Sequence, residues 1–124
     1  MWDVEYRYIE DWLDRQDTET VAHVFAALEL LQEHGPNLGR PLVDIIQGAP
    51  LKNLKELRPA SPGRSEIRIL FAFDVRRRAV MLLAGDKAKG KNNKYKWAKW
   101  YRQAIPKAME LYCNHARDEG EDDG

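Results

Sequence analysis

Residues 66–84 decide the fold, and they read EIRILFAFDVRRRAVMLLA. Every second residue from Ile67 to Phe73 is a bulky apolar one, and this period of two is typical of a β-strand. The three arginines Arg76–Arg78 mark a tight turn. The next segment, Ala79–Ala84, is apolar at every position, which predicts a central strand buried on both faces. The stretch therefore predicts two antiparallel strands joined by a short connection.

The N-terminal third of the chain predicts a strand and then helices. Trp2–Tyr6 alternates apolar and polar residues as a half-buried strand does, and a short helical stretch is expected at Ile9–Arg15. Apolar residues then recur on one face of a predicted amphipathic helix, Thr18–His34. Asp17 and Thr18 are both good N-cap candidates, and the Gly35-Pro36 pair ends the helix.

The middle and the end of the chain supply one more strand and one more helix. A loop with a helical turn near Val43–Ile46 is expected first, and Leu51–Arg58 is expected to be a strand. A helical period returns from Lys94 onward, and Pro106 should kink or restart that helix. The overall prediction is a single α+β domain over residues 1–117. It has a small twisted antiparallel sheet of about four strands, N-terminal helices packed on one face and a C-terminal helix, and the other sheet face is left for a ligand.

The net charge of zero hides a strong asymmetry along the chain. Residues 1–50 hold ten acidic and three basic residues, whereas residues 51–117 hold seventeen basic and five acidic ones. Residues 118–124 add five acidic residues and no apolar one, which predicts a disordered acidic tail. A basic surface of this kind favours a polyanionic partner, so we expect one face to meet nucleic acid.

Other classes of protein are disfavoured by composition. The N-terminus lacks the basic and apolar regions of a signal peptide, and no apolar run is long enough to span a membrane. The single cysteine, Cys113, is typical of a reducing cytosol, so a cytoplasmic location is expected. No spacing of cysteine, histidine or acidic residues suggests zinc, no glycine-rich phosphate loop is present, and no cofactor is expected.

Several phrases of the sequence together resemble the RelE/HigB toxin superfamily, in its phage-derived HigB-type branch. They are Leu38–Leu42 (LGRPL), Leu54–Arg58 (LKELR), Gly63, Ile67–Phe71 (IRILF) and Gly85–Lys89 (GDKAK). The resemblance covers roughly residues 2–115 and implies a RelE-like fold. It also implies the toxin of a type II toxin–antitoxin system, a metal-independent endoribonuclease that cleaves messenger RNA on the ribosome. The partners implied are the ribosome, its mRNA and a cognate antitoxin, often of helix-turn-helix type, in a toxin–antitoxin hetero-oligomer.

The candidate site residues are cationic or aromatic, as cleavage of RNA without a metal requires. Such a site accepts the proton of the 2′-hydroxyl and neutralises charge on the phosphoryl oxygens. Arg68 points away from the face of Ile67 and Ile69 and matches the phosphate-binding arginine of the family. The resemblance implies catalytic roles for Arg68, Lys87, Lys89 and Tyr101, and RNA-binding roles for Lys55, Arg58, Arg64, Lys91, Lys94 and Tyr95. Many relatives have a basic residue where this chain has Glu56.

Each of these residues could instead have a purely structural or solvent-exposed role, and these interpretations stay open. Arg68 is otherwise an exposed strand residue, Lys87 a solvated loop lysine and Tyr101 a core residue beside Trp97. Two alternatives to the nuclease also remain: a ParE-like toxin that binds DNA gyrase, and a degenerate relative that only binds RNA or its antitoxin. The antitoxin is expected to cover the basic surface or to prevent entry into the ribosome.

Overall fold

The described residues of this computed structural model are 1–46, 54–61, 66–86 and 93–118, and for residues 93–97 only the backbone is described. The chain begins with a strand and a 3-10 turn, followed by helices α1 and α2 and a second 3-10 turn. Their bounds are Asp3–Glu5 (β1), Arg7–Ile9, Glu10–Asp14 (α1), Thr18–His34 (α2) and Gly35–Asn37. The remaining elements are the strands Val43–Ile45 (β2), Leu54–Leu57 (β3), Ile67–Phe73 (β4) and Arg78–Asp86 (β5), and the helix Asn93–Asp118 (α3).

Helix α2 has the bounds that the sequence predicts, because both of its ends are capped as expected. The Asp17 carboxylate accepts a hydrogen bond from the Thr20 backbone N–H at 2.7 Å. At the other end, Gly35 adopts a φ of +56°, a left-handed value that favours glycine. A Cβ at residue 35 would lie 2.4 Å from the Trp2 indole, so the close approach of Trp2 also requires glycine.

The sheet has five strands in the order β1-β5-β4-β3-β2 and is mixed rather than antiparallel. β1 pairs with β5 in parallel, while the other three pairings are antiparallel. The helical turn expected near Val43–Ile46 is wrong, since these residues form β2 at the edge of the sheet. Val43 stands opposite Leu57 and is buried with it, so pairing with β3 satisfies both the backbone and the apolar side chain.

Both faces of the sheet are covered, and the expectation of one open face is wrong. On one face, α2 packs through residues such as Val24, Leu28 and Leu31 against alternate residues of β4 and β5. On the other face, Ala104 and Ala108 of α3 pack against a second buried cluster that includes Leu70, Val80 and Leu82. The physical reason is the composition of β4 and β5, which are apolar on both sides and need cover on both.

Helix α3 runs without interruption through Pro106, so the alternative of a helix restart is wrong. Its last residue is Asp118, and residues 119–124 of the expected acidic tail lie outside the described residues. In the described part of the chain, none of the helices has the length and apolar character needed to cross a membrane.

Candidate functional site

Arg68 lies near the start of β4, and its side chain is on the sheet face that α3 covers. Its phase opposite to Ile67 and Ile69 is the predicted one, because those two residues belong to the cluster beneath α2. The side chain is only 13% exposed, however, so the plain reading of a solvated strand residue does not describe it. Its guanidinium donates a hydrogen bond of 2.8 Å to the Ile67 backbone carbonyl. A second guanidinium nitrogen lies 3.8 Å from a carboxylate oxygen of Glu66, the residue before β4.

A buried carboxylate, that of Glu56 on β3, lies at the centre of the site. Its Oε1 is 3.1 Å from Arg68 Nε and accepts a hydrogen bond of 2.5 Å from the Tyr101 hydroxyl, while its Oε2 is 3.8 Å from an amino nitrogen of Arg58. Glu56 itself is 3% exposed. We refer to Glu56, Arg58, Arg68 and Tyr101 as the Glu56 cluster. It joins three of the predicted site residues, Arg58, Arg68 and Tyr101, through Glu56.

The Glu56 cluster continues across the edge of the sheet as a row of alternating charge. Asp44 stands opposite Glu56 in the pairing of β2 with β3. One of its carboxylate oxygens is 3.3 Å from Arg58, and the other is 3.2 Å from Arg40. The hydrogen bond from Arg40 lowers the pKa of Asp44, so this carboxylate is ionised at neutral pH. Arg58 is thus shared between two carboxylates.

Tyr101 reaches Glu56 from the N-terminal half of α3. Burial raises the pKa of its hydroxyl, and the hydrogen bond to the Glu56 carboxylate raises it further. The phenol therefore stays protonated at neutral pH and acts as a hydrogen-bond donor. The expectation that Tyr101 is a core residue is met in part. Its ring is half-buried and contacts the Trp100 ring edge-on, with the two ring centroids 5.0 Å apart.

A glycine on β5 sets how closely this part of α3 approaches the sheet. Gly85 stands opposite Arg68 in the register of β4 and β5. A Cβ at residue 85 would lie 2.6 Å from Trp100 Nε1, so the indole occupies the space that a side chain would take. The contact holds the turn of α3 that carries Tyr101 beside the Glu56 cluster.

Two buried side-chain atoms lack a hydrogen-bond partner among the described residues, and both are arginine Nε atoms in the Glu56 cluster. They belong to Arg58 and Arg68. Arg68 Nε is within ion-pair distance of Glu56, but its N–H does not point at the carboxylate oxygen. A buried donor without a partner costs about 1–3 kcal/mol, so each such donor needs an explanation. Both guanidinium groups are nevertheless within ion-pair distance of the Glu56 carboxylate.

Of the other predicted site residues, only Lys55 has a described side chain, and it does not join the Glu56 cluster. Lys55 is on the opposite sheet face, where it pairs in register with Phe71 and lines a cleft beside Leu38 and Arg40. Arg64, Lys87, Lys89 and Lys91 lie outside the described residues, and for Lys94 and Tyr95 only their backbone position in the first turn of α3 is described. Their roles stay predictions.

A second polar cluster lies near the other end of β4, some six residues along the strand, or about 20 Å from Arg68. His115 of α3 is fully buried there, with Nε2 3.1 Å from the Asp74 carboxylate and Nδ1 2.9 Å from the Tyr8 hydroxyl. Arg78 donates to the same Asp74 oxygen at 2.8 Å through Nε. Burial would raise the pKa of Asp74, but the hydrogen bonds from His115 and Arg78 outweigh it and lower the pKa. This cluster fastens the C-terminal half of α3 to the β4–β5 turn.

Sequence reasoning missed the role of Glu56 and the burial of His115. Glu56 shares the alternation of β3 with the buried Leu54, and that signal places it facing α3 rather than solvent. No cluster of three or more histidine, cysteine or acidic side chains suited to a metal occurs within residues 1–46, 54–61, 66–86 and 93–118.

Comparison with known proteins places the chain in a family. Residues 11–113 match the family described as phage-derived Gp49-like proteins. A protein named as a toxin, HigB2 of Mycobacterium tuberculosis (strain ATCC 25618 / H37Rv), is 50% identical over 114 residues, which are 92% of this chain and 54% of that protein. Another protein named as a toxin, HigB3 of the same organism, is 44% identical over 98 residues, covering 79% of this chain and 78% of that protein. The chain thus spans about half the length of the first of these relatives. On these matches the chain belongs to the Gp49-like family of phage-derived proteins, within the HigB-type branch of the RelE/HigB superfamily.

Proposed function

We propose that this chain is the toxin of a type II toxin–antitoxin system and that it cleaves messenger RNA on the ribosome without a metal ion. The observation that carries the proposal is the convergence of two guanidinium groups, those of Arg58 and Arg68, at Glu56 beside Tyr101. Guanidinium groups bind phosphate oxygens through paired donors, which makes these two side chains suited to a scissile phosphate. The family relationship and the basic character of residues 51–117 support the same function.

In this mechanism the 2′-oxygen attacks the adjacent phosphorus, and the bond from phosphorus to the 5′-oxygen breaks. Arg58 and Arg68 neutralise the charge that builds on the phosphoryl oxygens. The Tyr101 hydroxyl donates its one proton to Glu56, so in this proposal the Tyr101 ring serves by stacking on a base. We assign the two proton transfers to Lys87 and Lys89: one accepts the proton of the 2′-hydroxyl, and the other supplies a proton to the 5′-oxygen.

Glu56 is assigned a positioning role in this proposal. Its carboxylate fixes the orientation of Arg68 and Tyr101, and its negative charge offsets part of the positive charge of the two arginines. A phosphate between the arginines competes with Glu56 for the same donors. The site is therefore expected to bind RNA weakly by itself and to depend on the ribosome to deliver the substrate.

The test is induction of this protein in a bacterial host, followed by mapping of RNA 5′ ends. Arg68→Lys retains a positive charge beside buried Glu56 but removes the planar guanidinium, so the variant is expected to fold and to lose cleavage. Arg15→Lys, at an exposed position after α1, is the matched control and should cleave like the native chain. New ends inside translated codons, present with the control and absent with Arg68→Lys, are the expected result.

Two outcomes contradict the proposal. Growth arrest without new RNA ends would indicate another target, such as DNA gyrase. No arrest and no cleavage would indicate a relative that only binds RNA or its antitoxin.

A further inference from the structure

A groove on the far side of the molecule from the Glu56 cluster runs along helix α2. Two adjoining hollows of about 280 and 140 Å³ form it, and they share the side chains of Tyr6 and Phe25. The two rings meet edge-on at 5.3 Å in the middle of the groove. The walls are α2 on one side and β1, Tyr6 and α1 on the other.

The floor of the groove is apolar, and its length suits a short helix. Val21, Phe25 and Leu28 of α2 line it together with Val4 and Leu13. The lining residues of α2 extend from Val21 to Gln32, and the eleven steps of helix rise between them span about 16 Å. Tyr6 is 36% exposed at the surface of this floor. The groove thus has room for about three turns of a partner helix.

The rim of the groove is acidic. Glu10, Asp14 and Glu29 are the charged lining residues, all three are exposed, and in the described part of the chain no lysine or arginine lines the groove. A phosphate backbone would be repelled by such a rim, which disfavours RNA as the occupant. A peptide segment with an apolar face and flanking lysine or arginine side chains matches both the floor and the rim.

We propose that this groove, the Tyr6–Phe25 groove, binds a basic amphipathic segment of the cognate antitoxin. The proposal rests on the assignment of the chain as a toxin–antitoxin toxin, because that assignment supplies the partner. Of the two expected modes of inhibition, the proposal replaces cover of the basic surface with prevention of entry into the ribosome. An antitoxin in the Tyr6–Phe25 groove lies against the α2 face and leaves the Glu56 cluster on the α3 face uncovered. Inhibition then arises from the bulk of the complex, which prevents entry into the ribosome.

The experiment compares two charge reversals of equal size in the same two helices. Asp14→Lys/Glu29→Lys changes the rim of the groove, and Asp11→Lys/Glu33→Lys changes exposed acids of α1 and α2 that do not line it. All four positions are exposed, so both variants are expected to fold. The probe is the antitoxin encoded beside the gene of this chain, purified alone and titrated against each full-length toxin variant at two salt concentrations.

The rim variant is expected to bind the antitoxin at least tenfold more weakly and with a smaller salt dependence, whereas the control variant should stay within twofold of the native chain. Hydrogen exchange of the native complex should show slower exchange over residues 10–14 of α1, which lie opposite α2 in the groove. Equal affinity of the two variants would overturn the proposal, as would loss of ribosome binding, rather than antitoxin binding, by the rim variant.

The failure of this proposal is distinct from that of the function. If the native chain binds the antitoxin and the rim variant binds it equally well, only the groove is refuted. If the native chain does not bind the antitoxin at all, the toxin–antitoxin assignment fails and the groove proposal fails with it.

Discussion

Loss of the Arg68 guanidinium should destabilise the protein far more than loss of an exposed arginine on a strand would. Arg68→Met preserves the length of the side chain but leaves Glu56, whose side chain is 4% exposed, without the guanidinium at 3.1 Å. Breaking a buried pair from one side costs about 3–5 kcal/mol. Arg58 remains 3.8 Å from the other oxygen of Glu56, so we expect the lower end, about 3 kcal/mol.

The partner substitution, Glu56→Gln, should cost less. The amide oxygen can still accept the Tyr101 hydrogen bond, so the expected loss is about 1–2 kcal/mol. The double variant contains neither buried charge of the pair. Its loss of stability should be smaller than the sum of the single losses by about 2 kcal/mol, which is the coupling of two groups in contact.

The assay is urea unfolding at neutral pH, followed by tryptophan fluorescence, for the native chain, both single variants and the double variant. Arg15→Met and Glu33→Gln, at exposed positions, serve as controls and should each shift the free energy of unfolding by no more than about 0.5 kcal/mol. A coupling energy below about 0.5 kcal/mol would refute the reasoning that Glu56 and Arg68 form one buried unit.

Three other predictions concern the placement of α3. The pKa of Asp74 is lowered in the folded protein, so its contribution to stability is present above its unfolded value of 3.8 and is lost as the pH falls below it. The difference in urea midpoint between the native chain and Asp74→Asn should therefore shrink below about pH 4, and a difference that grows instead would contradict the hydrogen bonds from His115 and Arg78. Gly85→Ala should lower the free energy of unfolding by about 1–3 kcal/mol, because its methyl group collides with Trp100. Thermal unfolding checks this loss against Gly39→Ala, where a Cβ meets nothing within 4 Å. Equal stability of the two variants would contradict the collision. Tyr101→Phe should lower the free energy of unfolding by about 1–2 kcal/mol, since it removes a donor to buried Glu56, and unchanged chemical stability would show that the hydrogen bond contributes nothing.

Local patterns in the sequence were sufficient to predict most of the helices and strands. The α2 boundaries follow from Asp17 and Gly35, and the strand β4 follows from its alternating apolar residues. The extra strand β2 could not be predicted in this way, because a three-residue edge strand has too few residues to show a period. Its formation depends on pairing with β3, which is a tertiary contact.

The content of the site depended on information that a single sequence does not carry. Arg68 and Tyr101 were candidates from the start, but nothing in their spacing indicates that both would contact Glu56, 12 and 45 positions away respectively. That juxtaposition results from the register of β3 against β4 and from the packing of Trp100 on Gly85. His115 was similarly ambiguous, since a histidine near the chain end can be solvated or, as here, buried against Asp74.

The most direct test of the proposed ribosome-dependent nuclease is cleavage by the purified protein on a defined ribosome complex. The native chain and Arg68→Lys would be added to ribosomes that hold a known codon in the A site, and to the same messenger RNA without ribosomes. The account predicts a cut within that codon, a 2′,3′-cyclic phosphate at the new end, a rate on the order of a hundredfold lower for Arg68→Lys, and no cut in free RNA. Absence of cleavage by the native chain, or equal cleavage by Arg68→Lys, would contradict it.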